Sequence, residues 1–351
     1  MKTMQAVALT RIPNGLELVD MPVPEIAENE FLVKMHACSL CYTDVKACQH
    51  GKHFYIELYG LPWVPGHEMA GEIAAVGRRV KGFSVGQRVA VAPFNPCGTC
   101  PPCQRQSYRF CHKAPDSFVQ PGGFAEYFKV PGEGAHLRTI ALPDAVSYEE
   151  AALAEPVASC RHAIRKVKIP DGADVAIIGA GPLGLILMQL AKAEGAARVF
   201  MVDVDAQRLE QALAFGADEV IDAATDNANQ VLRLKTGFMG ADVVIEAVGR
   251  AETYRLALEM ARGGGAVSLF GGMPGGSTVE IPSELLHYQE LTITGTSSFS
   301  PEDYREALAL IAAGRIDVKR LITHRFDSLA GVPEAVALSL EKQGLKKVVL
   351  L

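Results

Sequence analysis

Residues 174–184 read DVAIIGAGPLG. A short apolar, β-branched run ends on Gly179, Gly181 and Gly184, and a helical pattern then continues to Glu194. The order is strand, tight turn, helix. Gly179 permits the tight turn, Gly181 lets a pyrophosphate approach the backbone, and Gly184 lets helix and strand pack closely. The helix N-terminus offers free N–H groups and a positive dipole end to phosphates. Pro182 and Leu183, inside the motif, and Arg208, on the next helix, join the cofactor-binding candidates. The next strand-like run, RVFMVD at 198–203, ends in Asp203, nineteen residues past Gly184. A carboxylate there can hydrogen-bond both hydroxyls of an adenosine ribose, and it repels a 2′-phosphate. Asp205 adds to that repulsion, and no arginine directly follows Asp203. The expected dinucleotide is therefore NAD rather than NADP.

From Asp174 onward strand-like and helix-like runs alternate. EVID, ADVVIEAVG and GGAVSLFG continue the strands, with LTITGTSS as the last. That alternation predicts an α/β domain with a doubly wound parallel sheet. The first ~150 residues have another texture, rich in Gly, Pro and β-branched residues. FLVKMHAC, AGEIAAVG, QRVAVAP and AEYFKVP read there as short strands between turns. After the alternating region come a helix, PEDYREALALIAAG, and a strand-like tail, KKVVLL. A chain of 351 residues accommodates two domains with sizeable cores. The net charge of -6 argues against a nucleic-acid-binding surface. The N-terminal MKTMQAVALTRIPNG lacks the apolar core of a signal peptide. No stretch approaches the roughly twenty apolar residues of a membrane span. The expected setting is the cytoplasm.

Clustered thiols in such a setting bind metal more readily than they form disulfides. Cys97, Cys100, Cys103 and Cys111 fall within fifteen residues in FNPCGTCPPCQRQSYRFCHK, 94–113. Four thiolates close a tetrahedral zinc shell with no open position, which makes a structural site. Any zinc chemistry then needs a second, less saturated set. Cys41 in SLCYTDVKACQHG, His67 and Glu68 in PGHEMAGEIAAVG, and Glu155 in LAEPVASCRHA supply thiolate, imidazole and carboxylate. Three such ligands leave a position for water or substrate. Whether Glu68 or Glu155 binds directly stays open at this level.

With these motifs in order, the chain resembles the zinc-dependent alcohol dehydrogenases of the medium-chain dehydrogenase/reductase family. Gly66-His67-Glu68 with Gly71 and Gly77, Cys41-x-Thr43-Asp44, the four-cysteine lobe, GGFAEY at 122–127 and GAGPLG carry the resemblance. It implies a GroES-like β-rich catalytic domain over 1–154, with a structural zinc lobe at 93–113. A Rossmann NAD-binding domain over 155–295 follows, and 296–351 returns to the catalytic domain. The active site would lie in the cleft. Within the family, Glu155-Pro156 with His162-Ala163, and Gln49-His50-Gly51, are similar to the polyol and vicinal-diol branch. Ethanol-oxidising relatives usually carry cysteine where Glu155 stands. Two departures stand out. Lys46 replaces a histidine often found five residues after the ligand cysteine. Ser297-Ser298-Phe299 stands where sorbitol dehydrogenases carry an arginine.

The expected activity is reversible oxidation of a secondary alcohol to a ketone, with hydride passing to NAD. The cation acidifies an alcohol hydroxyl that reaches it. The carbinol carbon must come to roughly 3–3.5 Å from the nicotinamide. Thr43 is the candidate to pass the alcohol proton toward solvent, and Asp44 the carboxylate that orients His67. The resemblance suggests Ser159 for the nicotinamide pocket. Cys38, Cys48 and Cys160 read as buried thiols, and His53, His112, His136, His287 and His324 receive no role. Phe54, Trp63 and Phe118 read as ordinary packing, with a substrate wall as the sharper option. The partner expected is a small alcohol or polyol, with no nucleic acid or membrane, in a homotetramer or homodimer. The alternatives are an L-threonine 3-dehydrogenase or other amino-alcohol dehydrogenase, and a non-catalytic NAD-binding protein on the same fold.

Overall fold

The computed structural model describes residues 2–51, 54–94, 96–113, 118–132 and 134–351. His53 and the Phe54 side chain, named above, lie outside the described residues. The chain divides into two compact units, Met1–Ala158 with Phe299–Leu351, and Ser159–Ser298. The helix Ala154–Val167 carries the chain across the first boundary.

The first unit is built on antiparallel pairing. Strands β1 (Thr3–Arg11) and β2 (Gly15–Pro22) form a hairpin that the sequence reading did not include. Only part of β1 alternates buried with exposed residues, which is why its period is faint. The larger sheet contains β3 (Glu30–Ser39), β4 (Glu68–Val76), β5 (Arg88–Val91), β6 (Tyr127–Pro131) and β7 (Thr139–Ala141). The returning segment adds β14 (Ile322–Phe326) and β15 (Lys346–Leu350), giving the order β14-β15-β3-β4-β5-β7 with β6 paired to β3. One face of strand β3 is buried along its whole length, and its Phe31, Val33 and Met35 meet Met69, Ile73, Phe124 and Phe128 in one core. Each such side chain contributes about 1.5–3 kcal/mol on burial.

The register places three chain segments side by side. Ser39, the last residue of β3, pairs with Glu68, the first of β4, and also with Val348 of β15. Cys41 therefore leaves β3 beside His67 and Glu68, close to where Lys346 begins β15.

The second unit is a six-stranded parallel sheet. Its strands are β8 (Asp174–Ile178), β9 (Arg198–Asp203), β10 (Glu219–Asp222), β11 (Ala241–Glu246), β12 (Ala261–Leu269) and β13 (Thr292–Gly295). The order β10-β9-β8-β11-β12-β13 puts the reversal of winding between β8 and β11, where doubly wound sheets bind ligands. Val175 to Ile178 are buried throughout, as a strand covered on both faces requires. The helix Pro182–Ala193 starts directly after the glycine turn and buries Leu185, Ile186, Leu187 and Leu190. A Cβ on Gly184 would lie 1.8 Å from the Gly179 carbonyl oxygen, so only glycine lets this helix sit so near the turn.

Candidate metal and cofactor sites

Cys41 is the N-cap of the helix Tyr42–His50, and His67 precedes β4 directly. Gly66 has φ +98, and a Cβ there would come within 2.9 Å of both the Cys38 sulfur and the Phe124 amide nitrogen. Glycine thus fixes the approach of the chain to His67. Cys41, His67 and Glu68 each present a ligand atom, all within 4.8 Å of one another. Glu155, at the start of its helix, is not in that group of three.

His67 is oriented from behind. Its Nδ1 lies 3.1 Å from Asp44 Oδ1, which also accepts the Gly66 N–H at 3.3 Å. Asp44 is fully buried in the helix that Cys41 caps. Engaging Nδ1 leaves Nε2 for the other side, the arrangement a metal-binding histidine uses. Burial works against a charged imidazole. Even so, Asp44 and Cys41, by charge and by hydrogen bond, hold His67 well above the ordinary histidine value.

Glu68 and Glu155 have different surroundings. Both oxygens of Glu68 accept from the Lys346 ammonium, Oε1 at 2.7 Å and Oε2 at 2.5 Å. The same ammonium donates to the Leu40 carbonyl at 3.1 Å, one residue before Cys41. Lys346 is 5% exposed and Glu68 0%, so this ion pair is sealed from water. Lys346 stays charged, because Glu68 and Cys41 outweigh its burial and raise its pKa. Among the described residues, no cation forms an ion pair with Glu155 as Lys346 does with Glu68. Burial pushes its carboxyl up to about 7, and Glu68 adds to that, against the pull of His67, Lys346 and Arg138. Cys41, His67 and Glu68 bring a thiol, an imidazole and a carboxylate together, and the charges of His67 and Glu68 act on Glu155. A divalent cation replaces the protons such groups bind, which is how metal binding couples to protonation. The donor set therefore fits zinc.

The cysteine lobe fits a closed zinc shell by a separate measure. A Zn–S bond of about 2.3 Å in tetrahedral geometry sets sulfur–sulfur edges of about 3.8 Å. Cys111 and Cys97 sulfurs are 3.6 Å apart, and those of Cys100 and Cys111 3.9 Å. These spacings are far beyond a disulfide bond, and all four thiols are free. Backbone N–H groups of Cys97 and Cys100 donate to the Cys111 and Cys97 sulfurs, each at 3.4 Å. Phe94, Tyr108 and Phe118 pack around the quartet, which accounts for Phe118. Trp63 packs with Leu9, Ala47 and Cys48.

In the nucleotide loop, Gly181 is the N-cap of the helix that Pro182 and Leu183 begin. The Leu183 carbonyl takes a contact from the Cys160 thiol at 3.7 Å. Asp203 Oδ2 accepts the Ala180 N–H at 2.7 Å, so the acid at the end of β9 also ties the glycine turn. Its Oδ1 accepts from Val204 and Asp205 amides at 2.8 and 3.1 Å. Asp205 caps the following helix through the amides of Gln207 and Arg208. The Arg208 guanidinium lies 4.0 Å from Asp203 and 3.8 Å from Asp205. Thr43 is exposed on its helix and Ser159 is half-buried.

Two side chains that the sequence reading passed over now stand out. Lys346 lay in KKVVLL, where a lysine beside an apolar strand reads as solvated. Arg138 lay between the lobe and β7 without any motif. The signal that would have found them is burial, and a single sequence does not carry it.

Comparison with known proteins agrees with this geometry. A family model described as zinc-binding dehydrogenase matches residues 182–313, and one for the alcohol dehydrogenase GroES-like domain matches 27–143. Sorbitol dehydrogenase of Bacillus subtilis is 33% identical over 340 residues, 95% of this chain and 94% of its own. A protein of Neosartorya fischeri named "Probable D-xylulose reductase A" is 35% identical over 313 residues, 87% of this chain and 85% of its own. A structure from Sinorhizobium meliloti 1021, classed as a zinc-binding dehydrogenase and bound to NADP, superposes with a TM-score of 0.90 at 30% identity, covering 100% of both chains. The chain belongs to the zinc-dependent medium-chain dehydrogenase/reductase family, among its polyol dehydrogenase-like members. It is a dehydrogenase that uses zinc and a nicotinamide cofactor. Among the described residues, no helix is long and apolar enough to cross a membrane.

Proposed function

We propose that this enzyme interconverts a secondary alcohol and its ketone, passing hydride to NAD, with a polyol, cyclitol or vicinal diol as substrate. The observation that carries the reading is the convergence of Cys41, His67 and Glu68, with Glu68 already engaged by Lys346. Cys41 and His67 then hold the catalytic zinc, Glu155 is the third protein ligand, and one position stays open for the alcohol. When bound there, the cation acidifies the alcohol hydroxyl. Asp44 holds the tautomer of His67 through Nδ1. Thr43, exposed two residues past Cys41, receives the released proton and passes it to solvent. Lys46 is exposed on the same helix, so no histidine relay operates at that position. The names of the relatives, sorbitol dehydrogenase and D-xylulose reductase, support a polyol. An NADH-formation screen across polyols, cyclitols, diols and amino alcohols tests this. Turnover of a polyol or diol is the expected result, and turnover confined to L-threonine or amino alcohols overturns the substrate class. The same proposal takes the protein as a cytoplasmic homotetramer or homodimer, which sedimentation analysis reads directly.

NAD is the proposed cofactor because Asp203 and Asp205 put two carboxylates where a 2′-phosphate would lie. Asp203→Asn removes the charge and keeps one acceptor oxygen, enough for either the Ala180 amide or the Val204 and Asp205 amides, whereas Asp203→Gly keeps none. The ratio of NADP to NAD turnover should rise about ten-fold or more in the Asn variant, equivalent to about 1.4 kcal/mol. Unchanged selectivity, or a wild type that prefers NADP, overturns the role given to Asp203.

A further inference from the structure

Glu246 is the last residue of β11 and is 0% exposed. A carboxylate sealed from water is costly unless other groups compensate it. Here one oxygen takes three donors. Oε1 accepts the Val248 N–H at 2.9 Å, the Gly249 N–H at 2.7 Å and the Thr253 hydroxyl at 2.7 Å. Oε2 has no hydrogen-bond partner among the described residues. Burial raises the pKa of this carboxyl, against the bonds from Thr253, Gly249 and Val248. The main-chain carbonyl of Glu246 accepts the Phe270 and Gly271 N–H groups at 3.0 and 2.8 Å. One residue thus binds the segment after β11 with its side chain and the segment after β12 with its backbone. Tyr254 adds a second tie, its hydroxyl donating to the Gly271 carbonyl at 2.6 Å. Thr253 and Tyr254 both lie near the start of the helix Ala251–Met260, so the ties share one support. The fit is close. A Cβ on Gly249 would lie 2.6 Å from the Gly272 carbonyl oxygen, and one on Gly271 2.7 Å from Glu246 Oε2.

These segments stand where the winding of the sheet reverses. The Ala247 N–H donates to the Ile178 carbonyl, at the end of β8, at 2.8 Å. A Cβ on Gly179 would come within 3.0 Å of Val248 Cγ2. Val248 is 45% exposed although apolar, and it flanks the glycine turn from the β11 side. Asp203 ends β9, on the other side of β8. A dinucleotide lies across such a crevice with its adenosine ribose at the acid and its pyrophosphate at the glycine turn. Its second half then runs toward β11 and β12.

We propose that Glu246 is a positioning residue for the nicotinamide half of the cofactor, tying residues 247–249 and 270–271 into one wall of the crevice. The inference rests on the reading of the glycine turn and Asp203 as the dinucleotide site. Without the Glu246 side chain, the Val248 and Gly249 amides lose their acceptor, and Thr253 no longer joins the helix to them. The two segments then sample other arrangements, and cofactor binding has to order them.

Calorimetric titration of the zinc-loaded enzyme with NADH and with ADP tests this. ADP carries the adenosine ribose and both phosphates and stops there, so it does not reach toward β11 and β12. In Glu246→Ala the NADH dissociation constant should rise about ten-fold or more, as when a binding-competent arrangement falls to a tenth of the population. The ADP constant should stay at its wild-type value. Glu246→Gln keeps one acceptor oxygen, which is all that Oε1 supplies, and should bind NADH nearly as the wild type does. Tyr254→Phe removes only the tie to the Gly271 carbonyl and should weaken NADH by a smaller factor, again without touching ADP. A merely structural role would lower the melting midpoint and weaken both ligands alike, or neither. Equal weakening of NADH and ADP in Glu246→Ala, or wild-type affinity for NADH there, overturns the inference. If Glu246→Ala does not fold, Tyr254→Phe combined with Thr253→Val decides it by the same comparison. A wild type that takes NADPH in place of NADH overturns the role of Asp203 instead, and NADPH against 2′-phospho-ADP then judges Glu246.

Discussion

Serine in place of Cys41 lowers the zinc content from about two ions per chain to about one, and alcohol-dependent NADH formation falls to background. The thiolate is the softest donor in a set otherwise made of imidazole and carboxylate, and an alcohol side chain does not replace it at neutral pH. Asp44 still orients His67, and Lys346 still binds Glu68, so the surrounding scaffold stays in place. The cysteine lobe uses none of these residues and keeps its own ion. Elemental analysis and an NADH assay on the same preparation check both halves. Full activity in the variant, or loss of both zinc ions, would show that the two sites do not divide the work in this way.

The candidate cofactor and metal residues were largely legible in the sequence. Gly179, Gly181, Gly184 and Asp203 read as a unit because a dinucleotide would make a steric or electrostatic demand at each. The lobe was legible because four thiols in a short loop have few other uses. What the sequence did not disclose is the second layer. Lys346 follows Glu68 by 278 residues in the chain yet binds both of its oxygens. Only the pairing of Ser39 with both Glu68 and Val348 brings those segments together. Arg138 has the same character, being an ordinary arginine until its burial is known. The hairpin of β1 and β2 escaped for a different reason, since only part of β1 alternates in hydrophobicity.

Glu68 and Glu155 illustrate how the structure gives different surroundings to two acids that read alike in the sequence. Both read as carboxylate candidates, with the same chemistry and no difference in pattern. The ammonium of Lys346 separates them. A carboxylate holding a buried cation at 2.5 and 2.7 Å has both oxygens engaged by Lys346, which ties its orientation to that ammonium. Lys346 also holds the carbonyl just before Cys41, so one side chain positions two of the three converging segments.

Removing that ammonium should therefore have two separable consequences. In Lys346→Met the Glu68 carboxylate is left buried and unpaired, which costs about 3–5 kcal/mol of stability when a sealed ion pair loses one partner. With zinc held by Cys41 and His67, the freed Glu68 carboxylate would compete for the position the alcohol needs. The variant should keep about two zinc ions per chain, yet turn over slowly. Pairing the change with Glu68→Gln removes the orphaned charge, and most of the lost stability and part of the turnover should return. Lys346→Arg keeps a cation in place and should resemble the wild type more than the Met variant does. Denaturant midpoints, zinc analysis and kcat on these proteins separate the outcomes. Unchanged stability in Lys346→Met would mean the ion pair is dispensable. Loss of catalytic zinc there would mean Lys346 supports the metal rather than holding Glu68 away from it.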